Sequence, residues 1–197
     1  MGGRQFTSAR MLGKHAFTYG KMEARAWLPA GKHLWPAIWM MPRDSKYGMW
    51  AASGEIDIME YRGERPHVTL GTIHYGGSWP NNIYSGSGER SFSQDFSKGW
   101  HTFAVEWSPT DIKWFVDGQH YHTENINRMM WSGKGKNPYT KNGQPFDQPF
   151  HFILNIAVGG NFFPENQYGK QVTPDEAKHW AKPTMEIDYV RVFRWEN

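Results

Sequence analysis

Three carboxylates stand close together in an otherwise apolar part of the chain: Glu55, Asp57 and Glu60. The segment 54–61 reads Gly-Glu-Ile-Asp-Ile-Met-Glu-Tyr, a β-branched run that is typical of a buried strand. An ionised carboxylate is tolerated in such a strand only when it is paired, hydrogen-bonded or needed for function. Three of them within six positions therefore indicate chemistry in this segment and argue against a purely structural role.

Strand geometry determines which of these carboxylates can act together. Successive side chains point to opposite faces, so Glu55 and Asp57 share one face while strict alternation would turn Glu60 into the core. A β-bulge near Met59 adds one residue and returns Glu60 to the face of the other two. We therefore predict a bulge at this position, a feature that is over-represented beside active sites.

Two carboxyl groups on one strand face, beside a polar cleft, suit the hydrolysis of a glycosidic bond with retention of configuration. That reaction uses two carboxyl groups about 5–5.5 Å apart, one as nucleophile and one as acid/base. Their pKa values must diverge, because the nucleophile must be ionised while the acid still holds a proton near neutral pH.

The same residues resemble a known family. Glu-Ile-Asp-Ile-Met-Glu is similar to the Glu-x-Asp-x-x-Glu signature of glycoside hydrolase family 16, in its bulged, laminarinase-like form. The likeness runs in order from about Thr7 to Trp195 and includes residues 34–42, 71–75, 155–161 and 185–193. It implies an all-β fold, a β-sandwich jelly roll of two antiparallel sheets with a concave substrate cleft. It also implies endo-hydrolysis of β-1,3-glucan (laminarin) or mixed-linkage β-1,3-1,4-glucan.

The resemblance assigns roles to the three carboxylates. Glu55 is expected to be the nucleophile, Asp57 its hydrogen-bonded tuner and Glu60 the acid/base. No cofactor is expected for catalysis. A structural calcium ion is implied at Asp188, in the Ile-Asp-Tyr segment near the C-terminus.

The resemblance also implies a set of sugar contacts, and each has a plainer alternative. Arg25 alternates onto the polar face of a strand, where it is equally expected to be solvated or ion-paired. Trp35 and Trp39 bracket Pro36 in a segment that lines the cleft in the family, and core packing is the alternative for both. His74 is expected near the acid/base, although a single histidine is more often a surface or satisfied core group. The loop that includes Asn161 is expected to close over the cleft.

The composition limits the class of protein. A chain of 197 residues fits one domain, here a glycoside hydrolase catalytic domain over residues 1–197. A net charge of +3 without a basic run argues against a nucleic acid partner. Aromatic residues make up 16% of the chain, which favours stacking on sugar rings of a polysaccharide. No apolar run is long enough to span a membrane.

The first residues, Met-Gly-Gly, do not read as a signal peptide, yet a secreted monomer is expected. The chain begins almost at the Thr-Ser-Ala-Arg segment, so the N-terminal strands of the family are expected to be missing or replaced.

Local signals predict several elements. Asp117-Gly118 indicates a β-hairpin, and Thr173 with Pro174 and Glu176 indicates a helix start. One helical turn is expected within 126–131. Pro36 removes a ladder donor and predicts an interrupted or edge strand.

Two other functions stay open. A non-catalytic β-glucan-binding module could share the fold, but both catalytic acids, which such modules replace, are present. A hydrolase or transglycosylase of the same family could instead act on agar, carrageenan or xyloglucan.

Overall fold

The computed structural model describes residues 5–195, which form twelve strands and two short helices. The strands are β1 Arg10–Phe17, β2 Gly20–Trp27, β3 Leu34–Pro42, β4 Glu55–Tyr61, β5 Val68–Tyr75, β6 Ile83–Gly86, β7 Arg90–Ser91, β8 His101–Trp107, β9 Asp111–Val116, β10 Gln119–Asn125, β11 Phe150–Val158 and β12 Glu186–Phe193. The helices are α1 Glu165–Tyr168 and α2 Pro174–Ala177. Neither helix has the length and apolar character needed to cross a membrane.

The strands build two antiparallel sheets. The first has the order β1-β11-β3-β4-β5-β6, with the short β7 also paired to β5. The second has the order β10-β9-β8-β2-β12. The all-β sandwich of two antiparallel sheets is therefore confirmed, and β4, which carries the three carboxylates, lies in the middle of the first sheet.

The core forms between the two sheets because each strand turns its apolar residues to one face. In β2, Met22, Ala24 and Ala26 are fully buried, while their neighbours in sequence lie on the other face. In β4, Ile56 and Ile58 enter the same core. Burying a side chain of this size stabilises the fold by roughly 1.5–3 kcal/mol relative to exposure. The face of β4 opposite the core is thus free to carry polar groups.

Two local predictions are confirmed. Asp117 and Gly118 have φ values of 49° and 78°, the left-handed conformation of a tight hairpin turn, and they join β9 to β10. The helix α2 is capped by Thr173, whose side chain accepts a hydrogen bond from the backbone N–H of Glu176. The Glu176 side chain in turn accepts from the backbone of Thr173, which completes a capping box.

Two other predictions are wrong. Residues 126–131 form no helical turn; the backbone N–H groups of Ile126 and Asn127 bind the carbonyl of Thr110, and that of Arg128 binds the carbonyl of Ile126, which is not a helical pattern. Pro36 neither interrupts β3 nor places it at an edge, since β3 lies between β11 and β4. The ladder with β4 begins only at Ala37, so Pro36 pairs with β11 alone and its missing N–H costs the sheet no bond on the β4 side.

Candidate active site

The predicted bulge in β4 is present. Against β3, Trp39 pairs with Asp57 and the adjacent Ile38 pairs with Met59, so β4 carries one additional residue there. The register with β5 shifts at the same place, between Asp57 and Glu60. As a result Ile58 and Met59 are both buried in the core, and Glu60 returns to the face of Glu55 and Asp57.

The backbone under this strand is held by a buried tryptophan of the second sheet. Trp114, on β9, donates a hydrogen bond from Nε1 to the carbonyl oxygen of Asp57, 2.9 Å away. Gly71, on β5, leaves the space that the indole needs, because a Cβ there would lie 2.1 Å from Cδ1 of Trp114. The position of Asp57 is therefore fixed from the core side.

Indole groups bind the other two carboxylates. Nε1 of Trp50 donates a hydrogen bond to Oε2 of Glu55. Nε1 of Trp35 donates to Oε1 of Glu60 over 3.1 Å. Trp50 lies in the loop before β4 and Trp35 lies on β3, so a loop and a strand each orient one carboxylate.

Burial dominates the electrostatics of all three groups. It raises the pKa of Glu55 to about 8, and the negative charge of Asp57 adds to the rise. The pKa of Asp57 is raised well above its ordinary value by burial and by the charge of Glu60. Burial also raises the pKa of Glu60, against the opposing effects of His74 and Trp35. The cluster therefore holds protons near neutral pH, where ordinary carboxyl groups are ionised.

Two grooves meet at the carboxylates. One, of about 410 Å³, contains Trp35, Trp39, Glu55, Asp57 and Glu60 together with residues of β11 and the segment before β1. The other, of about 560 Å³, shares Trp35, Glu55 and Glu60 with the first. It adds further residues of the neighbouring strands and loops: Trp50, Leu70, Thr72, His74, Tyr84, Asn161 and Phe162.

Four of the five residues predicted to contact sugar thus lie in this cleft. His74 is directly opposite Glu55 on β5, and its Nε2 is 3.3 Å from Oδ2 of Asp57. Asn161 lies in the second groove. Trp35 and Trp39 line the first, and Nε1 of Trp39 donates to Oδ1 of Asn155. Their contact with substrate stays a prediction.

One face of each of these two indoles is already in contact with the protein. Trp35 stacks on Phe162 with ring centroids 4.5 Å apart. The guanidinium of Arg10 lies over the ring of Trp39, 4.7 Å from its centroid. Each ring therefore has at most one face free to stack on a sugar unit. The edge of Trp35 is also engaged, since its Nε1 donates to Glu60.

Among the residues of the cleft that were not predicted as site residues from the sequence are Asn155, Tyr84 and Phe162. Asn155 is one of two polar residues in the otherwise apolar strand β11, the other being His151, and such a break in the apolar pattern can indicate a cleft position. Tyr84 lies on β6, a strand of only four residues in a stretch rich in Gly and Ser, and Phe162 lies in a loop, so neither period nor spacing marks these side chains as facing the cleft.

Arg25 and Asp188 lie outside this cleft, and for Arg25 the structure contradicts the predicted sugar contact. Arg25 is on the outer face of the second sheet, opposite the core-facing Ala24, whereas the cleft is on the outer face of the first sheet. The alternation of β2 was right, but the sheet that it joins places Arg25 on the wrong side of the sandwich. The guanidinium of Arg25 pairs with the carboxylate of Asp188 over 2.6 Å.

This ion pair also argues against a calcium site at Asp188. A calcium ion needs six to eight oxygen ligands, with carboxylates prominent among them. The exposed carboxylate of Asp188 is bound by a cation, and within residues 5–195 it belongs to no group of three acidic or histidine side chains. The side chains described around Asp188 therefore give no support to the expected calcium ion.

The chain was compared with known proteins. The model of the glycosyl hydrolases family 16 matches residues 2–190. A glucan endo-1,3-beta-glucosidase of Cryptopygus antarcticus is 52% identical over 192 residues, which are 98% of this chain and 68% of that protein. A glucan endo-1,3-beta-glucosidase A1 of Niallia circulans is 44% identical over 92% of this chain and 25% of its own length.

Solved structures agree with the sequence comparisons. The laminarinase of Rhodothermus marinus superposes with a TM-score of 0.78 at 37% identity, over 100% of this chain and 74% of that one. These matches extend across both sheets and across the strand with the three carboxylates. The chain therefore belongs to family 16 of the glycosyl hydrolases, within its laminarinase-like group.

Proposed function

We propose that residues 1–197 are the catalytic domain of a retaining endo-β-1,3-glucanase that cleaves laminarin or mixed-linkage β-glucan. The observation that carries this proposal is the bulge in β4, which places Glu55, Asp57 and Glu60 on one face beneath an open cleft. The names of the relatives, glucan endo-1,3-beta-glucosidase and laminarinase, support the linkage. Members of the family need no cofactor for the reaction.

In the first step Glu55 attacks the anomeric carbon while Glu60 protonates the leaving oxygen. Glu55 must be ionised at that moment, although burial raises its pKa. Asp57 provides for this in our proposal, because it shares a proton with Glu55, and passage of that proton to Asp57 leaves the charge on Glu55 for the attack. The N–H of Trp50 and the nearby His74 favour the same ionised form.

In the second step the glycosyl-enzyme is hydrolysed. Attack has removed the charge of Glu55, and Glu60 has lost its proton to the leaving group. Glu60 then accepts a proton from a water molecule, which attacks the anomeric carbon and releases Glu55. Two displacements restore the original configuration.

The shape of the cleft suits cleavage within a polymer. The two grooves extend to either side of Glu55 and Glu60, so that sugar units can lie on both sides of the scissile bond. Trp35, Trp39, His74 and Asn161 are our candidates for contacts with these units. We further propose that the domain acts as a monomer and that it acts outside the cell, where polysaccharides of this kind occur. Calcium has no part in the proposal, because Asp188 is paired with Arg25.

The proposal is tested by incubating the protein with laminarin, barley mixed-linkage glucan and agarose and measuring new reducing ends. We expect release from one or both glucans, loss of that release in Glu55→Gln, and formation of the β-anomer first in an NMR time course. Initial release of the α-anomer would refute retention. Binding of laminarin by a folded protein without any cleavage would instead identify a binding module, and cleavage of agarose alone would identify an agarase.

A further inference from the structure

The cleft contains a group of side-chain atoms that could bind a metal ion, a capacity that the hydrolytic reaction does not need. One donor atom each from Glu55, Asp57 and His74 lies within 4.8 Å of the other two. Asp57 is only 3% exposed, and among residues 5–195 its Oδ2 has no hydrogen-bond partner. Nε2 of His74 lies 3.3 Å from this oxygen without the geometry of a hydrogen bond. Oδ2 of Asp57 and Nε2 of His74 thus lie next to each other, and neither is engaged in a hydrogen bond among the described residues.

The spacing of these atoms fits a shared ion. Two ligands about 2.0–2.1 Å from a tetrahedral zinc ion lie about 3.3–3.4 Å from each other. The observed 3.3 Å between Oδ2 of Asp57 and Nε2 of His74 agrees with that edge. Both residues, and Glu55, stand on the paired strands β4 and β5, with Glu55 directly opposite His74. Ligands on strands hold their positions better than ligands on loops.

The charge and chemistry of the donors select the class of cation. Three carboxylates and one imidazole share this partly buried cleft, so a divalent cation would neutralise negative charge that burial makes costly. Carboxylate and imidazole together suit Zn²⁺, Cu²⁺ or Ni²⁺, whereas Ca²⁺ and Mg²⁺ take oxygen ligands.

We propose that Glu55, Asp57 and His74 form a binding site for a divalent transition-metal ion, and that its occupation inhibits the enzyme. The bound ion takes the carboxylate that must attack the sugar and fills the space between the two grooves. Inhibition is therefore competitive with glucan and reversed by a chelator. The inhibition rests on the proposed function, but the binding of metal does not.

The test is a calorimetric titration of Zn²⁺ into the chelator-treated, metal-free protein. We expect one ion per chain, and at least about 10–100-fold weaker binding in His74→Gln, since loss of even an outer-shell partner costs that much. His101→Gln is the matched control, because His101 also pairs with an aspartate, Asp117, at 2.7 Å but lies on the second sheet and, among residues 5–195, has no third ligand beside it. It is expected to bind Zn²⁺ like the wild type.

Two further measurements complete the test. Thermal melts establish that His74→Gln folds, and Asp57→Asn, which replaces another ligand, serves if it does not. A titration with Ca²⁺ is expected to give no binding. Absence of saturable Zn²⁺ binding, equal binding in the ligand variants, or Ca²⁺ binding as tight as Zn²⁺ would each overturn the site. Zn²⁺ binding that laminari-oligosaccharides do not displace would also overturn it, and this readout is independent of hydrolysis.

Discussion

The indole N–H of Trp50 is bound to the carboxylate of Glu55, five residues further along the chain. Trp50 belongs to the loop before β4, and its own carbonyl accepts a hydrogen bond from the backbone N–H of Trp79 over 2.8 Å. A residue outside the sheet thus acts on the proposed nucleophile. The contact fixes the orientation of the carboxylate and stabilises its ionised form.

Replacing Trp50 by Phe should lower kcat by about 10-fold, because a hydrogen bond to a charged group contributes about 1.5–3 kcal/mol. The acidic limb of the pH–rate profile should move to higher pH, since the donor favours ionised Glu55. Trp100→Phe is the control: its ring is 36% exposed against 38% for Trp50, but it packs near Arg25 on the outer face of the second sheet. Equal losses of kcat in the two variants would contradict this role.

The raised pKa of Glu55 predicts that the ionised form, which the reaction needs, lowers the free energy of unfolding. Between about pH 4.5 and 8 the folded state keeps a proton on this group that the unfolded chain has released. Stability is therefore lost as the pH rises through this window. Glu55→Gln removes the penalty, so its melting temperature should exceed that of the wild type at pH 9 and approach it at pH 4. The free-energy difference is on the order of a few kcal/mol.

Glu176 is a useful comparison, because its effect on the free energy of unfolding changes with pH in the opposite direction. Hydrogen bonds within its capping box and to Lys32 lower the pKa of this exposed carboxylate to about 2. Its stabilisation is present above the unfolded pKa and is lost as the pH falls toward 2. Glu176→Gln should therefore be less stable than the wild type at pH 7 and equal to it near pH 2. A Glu55→Gln difference that does not grow with pH would contradict the burial argument.

Glu60→Ala should separate the two catalytic roles. Without the acid, laminarin hydrolysis should fall by about 10²–10⁴-fold, since natural leaving groups require protonation. A dinitrophenyl glycoside needs no proton, so Glu55 should still form the glycosyl-enzyme and release a burst of the phenol. Azide, which needs no general base, should restore turnover of this substrate. Loss of the burst as well would mean that Glu60 is not the acid/base.

Gly71 should be essential for the packing beneath β4. A Cβ in Gly71→Ala would stand 2.1 Å from the buried ring of Trp114, and overpacking of this kind costs about 1–3 kcal/mol or more. In a domain of this size that lowers the melting temperature by about 2–10 °C. Gly99→Ala, whose Cβ would meet no heavy atom within 4 Å, should melt like the wild type. Equal melting of the two variants would exclude the close approach.

Adding calcium to the chelator-treated, metal-free protein should leave its melting temperature unchanged, since Asp188 is engaged with Arg25. Asp188→Asn should cost less than about 1 kcal/mol, the usual value of an exposed ion pair. A chelator-dependent fall in melting temperature that calcium restores would reinstate a calcium site.

Much of the site followed from the sequence because strand alternation is a strict rule. Three carboxylates in β4 required either a buried charge or a bulge, and the bulge is present. The Asp117-Gly118 hairpin and the capping box at Thr173 were equally local, since each depends on a few adjacent residues.

The predictions that were wrong depended on tertiary structure, which the local sequence does not contain. Alternation correctly put Arg25 on the polar face of β2, but it does not say which sheet β2 joins. Pro36 was judged by its missing donor alone, whereas its effect depends on where the ladder with β4 begins. The contacts of Trp50 and Phe162 arise from loops whose course is set by tertiary packing.

The place of β11 between β1 and β3 determines when the cleft can exist during synthesis. Residues 10–17 pair with residues 150–155, and β3 pairs along the whole of β11. Until residues 150–158 have been translated, β1 and one side of β3 lack the strand that pairs with them in the folded domain, and β4 lies on the other side of β3. Pairing between segments so distant in sequence is slow to form and exposes unpaired strands in the meantime. The side of the cleft that β11 lines can therefore form only after β11 has emerged.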